Sequence, residues 1–367
     1  GSSININDST LAEFQEVNID GVCEQVASPS PEFPQPISVI DEPFNVKSCG
    51  KNICPTDISM WESGQYATSG DKENNTARVR TIDLLPVLQD TYIARCSGYS
   101  IIIKTYDKNK NFIRSLGVVS TFTINENEKY ISVTLGGNTG DITFETYQNG
   151  FADGTIQPLV CLNSSVDKSF EPYQESKIEI PIPEGEFAGK INDTSKDQFQ
   201  IKWNDEDKNY HLYLEKKLSK VVLDGSETYV DVSIRTNTIR VAIALQGVSY
   251  SAITSHLIMK YHIYNSDIEG QLLEKNYLVL SFPIDIVGNT IASLRTWLSN
   301  NNLTGYYQLA EPQIIELGTL KEPIKTFEGI NNIQLLANLD TEIEVKYALD
   351  LKKYYDNKLA EISAQII

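Results

Sequence analysis

The chain has 367 residues, with 31 Lys and Arg against 49 Asp and Glu for a formal net charge of −18; 41% of residues are hydrophobic and 22% charged. That is apolar material enough for two or three packed domains, and it excludes a disordered chain, a collagen and a low-complexity fibre. A charge of −18 with no basic patch also excludes a surface built to neutralise phosphates, so no nucleic-acid partner is expected.

The chain opens Gly1-Ser2-Ser3 without a Met. This reads as an expression scar, with the native start expected upstream or replaced. No secretion signal follows, and apolar runs such as Val241-Ala242-Ile243-Ala244-Leu245 fall far short of the roughly 20 residues a spanning helix needs, so no membrane segment is expected. Residues 1–43 read as an N-terminal extended connector. Asp20-Gly21 marks a turn, and Ser28-Pro29-Ser30-Pro31-Glu32-Phe33-Pro34-Gln35-Pro36 packs four prolines into nine residues, fixing φ and removing backbone donors.

Residues 44–175 read as a first β-sandwich, with short alternating segments separated by turn residues. Tyr99–Tyr106 carries Ile101, Ile103 and Thr105 on one face; the turn Asp107-Lys108-Asn109-Lys110-Asn111 returns the chain through Phe112-Ile113 as a hairpin. Thr121–Ile124, Tyr130–Leu135 and Ile142–Tyr147 continue as strands. A break at Phe170-Glu171-Pro172-Tyr173 leads to residues 176–345, a second sandwich, in which Tyr229–Ile234 and Ile239–Leu245 alternate. One helix interrupts it: Asn289 or Thr290 can cap it, Ile291, Leu294, Trp297 and Leu298 form its apolar face, and Asn300-Asn301-Asn302 ends it. Over 346–367 the period changes. Leu351, Tyr355, Leu359, Ile362 and Ile366 form a helical seam, either a short oligomerisation stalk or a lone amphipathic helix docked on a sheet. The expected fold class is therefore all-β: two tandem antiparallel jelly-roll sandwiches, an extended N-terminal connector and a short C-terminal helix.

Reactive chemistry is harder to find. Cys23, Cys49, Cys54, Cys96 and Cys161 are odd in number and fit no disulfide or zinc spacing, as expected of free thiols in a reducing cytosol. His211, His256 and His262 lack metal-helix spacing and read as structural. Asp107-x-Asn109-x-Asn111 starts like a calcium loop but has Phe112 at its sixth position and Val118 at its twelfth. Asp205-Glu206-Asp207-Lys208-Asn209 reads as a hydrophilic hairpin tip whose carboxylates could weakly hold a cation. No nucleophile elbow, phosphate loop or dinucleotide fingerprint is present, so no catalytic residue, metal or cofactor is expected. Nothing marks a carboxylate pair for glycan hydrolysis among 49 acids.

The aromatics are more informative. Trp61 sits in the polar run Ser59-Met60-Trp61-Glu62-Ser63-Gly64-Gln65-Tyr66, followed by Arg78-Val79-Arg80. An aromatic face can stack on the C–H face of a sugar while polar groups hold its hydroxyls. Trp61, Tyr66, Arg78, Arg80 and Tyr99 are accordingly the candidate carbohydrate-binding residues; the alternative is that Trp61 and Tyr66 are core plugs under a long loop and the arginines ordinary strand-face residues. Trp203 and Trp297 read as core.

Several runs carry a family resemblance. Gly21-Val22-Cys23-Glu24-Gln25 leads into the proline run; Gly50-Lys51-Asn52-Ile53 opens a module; Arg78-Val79-Arg80-Thr81, Leu85-Pro86-Val87 and Tyr106-Asp107 follow, and Phe170-Glu171-Pro172-Tyr173 closes it. Tyr306-Tyr307-Gln308-Leu309-Ala310-Glu311-Pro312 and Thr326-Phe327-Glu328-Gly329 come later. In this order they resemble tail and baseplate proteins of phages and prophages of low-GC Gram-positive bacteria, which carry galactose-binding-like or carbohydrate-binding-module-like jelly rolls. The resemblance implies a non-enzymatic virion protein, made in the host cytoplasm, that works as a homo-oligomer (a trimer is favoured). Its implied partners are cell-wall polysaccharide and other tail proteins. It transfers no ligand residue. The alternatives are a purely structural tail adaptor, a glycan-degrading enzyme, and a secreted bacterial carbohydrate-binding protein.

Overall fold

The computed structural model describes residues 3–6, 12–137, 142–165, 167–259, 267–274, 276–322, 324, 325, 327 and 331–349. Strand accounts for 49% of the chain and helix for 8%. The strand pairs whose register is described are antiparallel, and the chain divides into two compact units with interleaved segments. One unit comprises Gly1–Gln15, Phe44–Ile180 and Glu322–Ile367; the other comprises Glu16–Pro43 and Pro181–Lys321.

In the first unit, Phe112–Val118, Tyr99–Tyr106, Tyr130–Gly137, Arg78–Thr81 and Trp61–Ser63 lie side by side in that order. Facing them is a three-stranded sheet of Thr121–Thr123, Thr91–Arg95 and Leu159–Leu162. Ile101, Ile103, Val79, Ile131, Val133 and Leu135 from the larger sheet meet Tyr92, Ala94, Phe122, Val160 and Leu162 from the smaller in one core. The two-residue alternation read from the sequence is what points these side chains inward. A further four-stranded sheet joins Ser3–Ile6, Asn331–Leu336, Phe44–Cys49 and Glu175–Ile180.

Two expectations for this unit change. Ile142–Tyr147 does not continue as a strand: Phe144–Ala152 is a helix, capped by Thr143, whose hydroxyl accepts from the Thr146 amide. Its Tyr147 is fully buried, and Phe144 and Phe151 pack against the same core, so a three-to-four-residue spacing overrides the strand pattern. Residues 1–43 are not simply a connector either. Ser3–Ile6 is a strand, and Glu16–Asp20 pairs with Gln198–Lys202. Val17 and Ile19 are fully buried and alternate with Asn18 and Asp20, which is a strand signal. The proline run lies in the loop between the paired strands Cys23–Glu24 and Ser38–Val39.

In the second unit, Gly247–Thr254, Leu303–Leu320, Asn209–Leu223, Gln198–Asn204 and the strand ending at Asp20 form one sheet. Asp231–Ile234, Thr238–Ala244, Tyr277–Pro283 and Gly270–Glu274 form the other. Leu223, Ala252, Leu303 and Tyr307 meet Ile239, Val241, Leu278, Leu280 and Phe282 between them. The expected helix is Ile291–Asn300, with Thr290 as N-cap in a reciprocal capping box with Ser293. It seals this core with Leu294 and Leu298. Of the helix expected over 346–367, residues up to Leu349 belong to the strand Ile343–Leu349; the seam from Leu351 onward lies outside the described residues.

Candidate functional site

The five candidate sugar ligands sit on or beside the larger sheet of the first unit. Trp61 opens a strand paired to Arg78–Thr81. It is 3% exposed, its indole N–H donates to the Pro55 carbonyl at 3.2 Å, and its ring lies 5.5 Å from that of Phe151. Tyr66 is also buried; its hydroxyl donates to the Thr81 carbonyl at 2.9 Å, and burial pushes its phenol pKa up. Arg80 is buried beside it, donating to Glu62 at 2.9 Å and to the carbonyls of Gln65 and Glu73 at 2.7 and 2.6 Å. Arg78 donates to the Gln65 side chain. Tyr99 stands two strands away from Arg78, across Tyr130–Gly137, its ring 5.4 Å from that of Tyr147.

The structure thus gathers Trp61, Tyr66, Arg78 and Arg80 and leaves Tyr99 apart, but as a correction to the expectation it gives the two lead aromatics no open face. Trp61 and Tyr66 are core plugs, because a helix and a loop cover the strand on which a stacking ring would have to stand. Arg80 is the buried hub that ties the loop down through its Nε and Nη1.

The runs that open and close the first module meet. Asn52 donates to the carbonyls of Pro158 and Glu171, both at 3.0 Å, and its carbonyl accepts from the amides of Cys54 and Val160 at 3.0 and 3.1 Å. The Gly50 amide donates to the Gln174 carbonyl at 3.1 Å, and the Tyr173 amide to the Thr56 hydroxyl at 3.0 Å. Lys51 pairs with Asp167 at 2.5 Å and Glu171 at 3.4 Å. Burial opposes the Lys51 charge, yet these two carboxylates hold its pKa above the usual lysine value. Gly50-Lys51-Asn52-Ile53 and Phe170-Glu171-Pro172-Tyr173 are therefore two halves of one latch. A small recess beside it, lined by Lys51, Tyr92, Ser165 and Asn332, has room for roughly one water molecule, far less than a sugar ring.

The second unit holds a buried ion pair. Asp197 accepts from the amides of Lys217 and Leu218 at 2.6 and 2.8 Å, from the Gly189 amide at 3.0 Å and from the Lys216 ammonium at 2.9 Å. Lys216 also donates to the Phe187 carbonyl at 2.6 Å and lies over the Phe187 ring. Burial pushes the carboxyl pKa up and the ammonium pKa down, each toward its neutral form. The pair sits where the register between Asn209–Leu223 and Leu303–Leu320 slips between Lys216 and Leu218, so its work is to satisfy a bulge.

The exposed aromatic chemistry is at the tip of the hairpin joining Gln198–Asn204 to Asn209–Leu223. Trp203, expected in the core, is 40% exposed. Phe199 and Ile201 share its face and are buried, so the strand outruns the core by one alternation. The Trp203 indole N–H donates to Asp205 Oδ1 at 3.0 Å, and its ring packs edge-to-face with that of Tyr210 at 4.9 Å. The turn is pinned locally. The Lys208 amide donates to the Asn204 carbonyl at 3.0 Å, the Glu206 amide to Asn204 Oδ1 at 2.8 Å and the Asn209 amide to Asp207 Oδ1 at 3.2 Å. On the opposite face of the sheet, His211 lies between Asp207 at 2.7 Å and Glu316 at 3.0 Å. The Asp207 hydrogen bond, reinforced by Glu316, raises its pKa.

All five cysteines are free. Among the described residues no three His, Cys, Asp or Glu side chains converge as a metal site, and no helix is long and apolar enough to cross a membrane. No family model, curated protein or solved structure matches the chain.

Proposed function

We propose that the chain is a non-catalytic tail or baseplate protein of a phage or prophage of Gram-positive bacteria that contacts host cell-wall carbohydrate during adsorption. The observation that carries this reading is the latch. Two of the runs on which the family resemblance rests, 120 residues apart in the chain, are bonded to each other through Lys51, Asn52 and Glu171. This is the role expected of runs that open and close one sandwich module. The all-β architecture agrees with a jelly-roll binding protein. On this reading it acts as a homo-oligomer among other tail proteins, and several weak glycan contacts sum through avidity. The acidic charge makes a neutral polysaccharide a more favourable ligand than an anionic one.

A structural adaptor without glycan affinity is favoured by one observation, the burial of Trp61, Tyr66 and Arg80. Retention of the intact chain on purified Gram-positive cell walls separates the two. Saturable retention that disappears when wall polysaccharide is stripped is the expected result. No retention of an oligomer verified by light scattering leaves the adaptor.

A further inference from the structure

We infer that the head of the 198–223 hairpin is a glycan contact, with the Trp203 ring as the platform for a neutral sugar. This deepens the reading above and rests on it. Three features of the head carry it. First, Trp203 is exposed for a reason other than the fold's needs: Phe199 and Ile201 already fill the core below it, and the turn is held by its own backbone and Asn204 and Asp207 bonds. A hairpin end needs no Trp there, and the exposed part of the ring forgoes the gain that burial would bring.

Second, the ring is held in one orientation. Asp205 Oδ1 takes its N–H and Tyr210 takes one side edge-to-face. The indole is left offering a face and no free donor, which is what an apolar C–H surface of a pyranose requires. A fixed ring also loses little freedom on binding.

Third, the rim is polar. The turn that follows Trp203, Asp205-Glu206-Asp207-Lys208, is exposed along its whole length, and Asp205 lies against the ring. The bonds from Trp203 and Lys208 to Asp205 both go to Oδ1, so Oδ2 faces no partner among the described residues and can accept from a hydroxyl. A protein partner would meet this ring with an apolar rim and would have to desolvate the Asp205 carboxylate; a sugar replaces its water with hydroxyls. The acidic turn, with Asp205 at the ring and Glu206 next in the chain, also repels phosphate-bearing or uronic polymers, which favours a neutral sugar.

The test uses the intact chain and neutral polysaccharide released from purified walls of low-GC Gram-positive bacteria. Trp203→Ala is expected to cut retention on that polysaccharide at least tenfold with an unchanged circular dichroism spectrum, and Trp203→Phe to restore most of it. Bound polysaccharide should also shield tryptophan fluorescence from acrylamide, because Trp203 is the exposed indole while Trp61 is buried and Trp297 half-buried. Wild-type retention by Trp203→Ala overturns the inference and leaves wall binding intact at another site. Absence of retention by the wild type on every wall overturns the wall-binding reading and the inference with it. If Trp203→Ala does not fold, the acrylamide measurement on the wild type decides: retention without shielding overturns the inference.

Discussion

Trp61 and Trp203 stand in similar sequence and in opposite surroundings. Each lies in a polar run, Ser-Met-Trp-Glu-Ser-Gly for one and Lys-Trp-Asn-Asp-Glu-Asp for the other. Trp61 begins a strand that a helix covers, and Phe151 of that helix closes over its ring. Trp203 lies one residue from the end of its strand, beyond the last buried side chain on its face, and stays 40% exposed with Tyr210 packed against it. Polarity of neighbours therefore does not decide whether an aromatic ring is available to a ligand. What decides is whether a second layer reaches over that point of the strand, and this is set by segments remote in sequence.

Mutation can break this comparison most forcefully on the covered side. Trp61→Ala should destabilise the first unit by about 3–5 kcal/mol, as expected for an aromatic removed from a packed core, seen as a lower denaturant midpoint. In the second unit, Asp197→Ala should cost a similar amount, about 3–5 kcal/mol, because it strands the Lys216 ammonium and three backbone amides in the interior. A midpoint within error of the wild type for either variant would show that the site is wetter than described.

The latch is next in size. Asn52→Ala leaves two carbonyls and two amides without their partner, at about 1–3 kcal/mol for each group that water does not reach; calorimetry should show a clear drop in melting temperature. Trp203→Ala sharpens the contrast from the exposed side, with an expected cost of about 1 kcal/mol or less in the same experiment. Equal losses for Trp61→Ala and Trp203→Ala would dissolve the distinction drawn between them.

The smallest effects are electrostatic, and two histidines of the second unit should move in opposite directions. His211 has both ring nitrogens against carboxylates, with Asp207 the stronger influence, so its pKa lies above the ordinary 6.5. The folded state then holds the proton more tightly than the unfolded one. The resulting stability is full below about pH 6.5 and is lost as pH rises through the folded value. His256 is buried against Trp297, and burial lowers its pKa. There the unfolded state takes the proton first, so stability is full above about pH 6.5 and falls as pH drops below it. Histidine ring resonances followed by NMR against pH should show the two midpoints on either side of 6.5; midpoints in the reverse order would refute the assignment.

Much of the fold was legible in neighbouring residues. Alternation at Ile101 and Ile103 and at Ile239, Val241 and Ile243 predicted strands that the structure contains, and of the two caps read for the helix start, Asn289 or Thr290, the structure uses Thr290. The Phe144–Ala152 helix had a readable signal as well, in its Thr143 cap and the spacing of Phe144, Tyr147 and Phe151, but an apolar run of that length suits strand and helix alike. The division at residues 172–176 was less legible. Phe44–Cys49 pairs with both Glu175–Ile180 and Asn331–Leu336, so a cut at 172 would sever a ladder, and fragments for binding work must keep all three segments of the first unit.

The sequence by itself determined the class of the fold, the Asp107–Asn111 and Asp205–Asn209 turns and the Ile291–Asn300 helix, because backbone period and local hydrogen bonding act between residues a few positions apart. Tertiary structure alone decided that Trp61 is sealed and Trp203 is open. It alone joined Lys51 and Asn52 to Glu171, and placed Asp197 at the bulge beside Lys216. Each of these depends on which distant strand or loop arrives to cover, pair or neutralise a group, and burial is a property of that arrival rather than of the residue's neighbours in the chain.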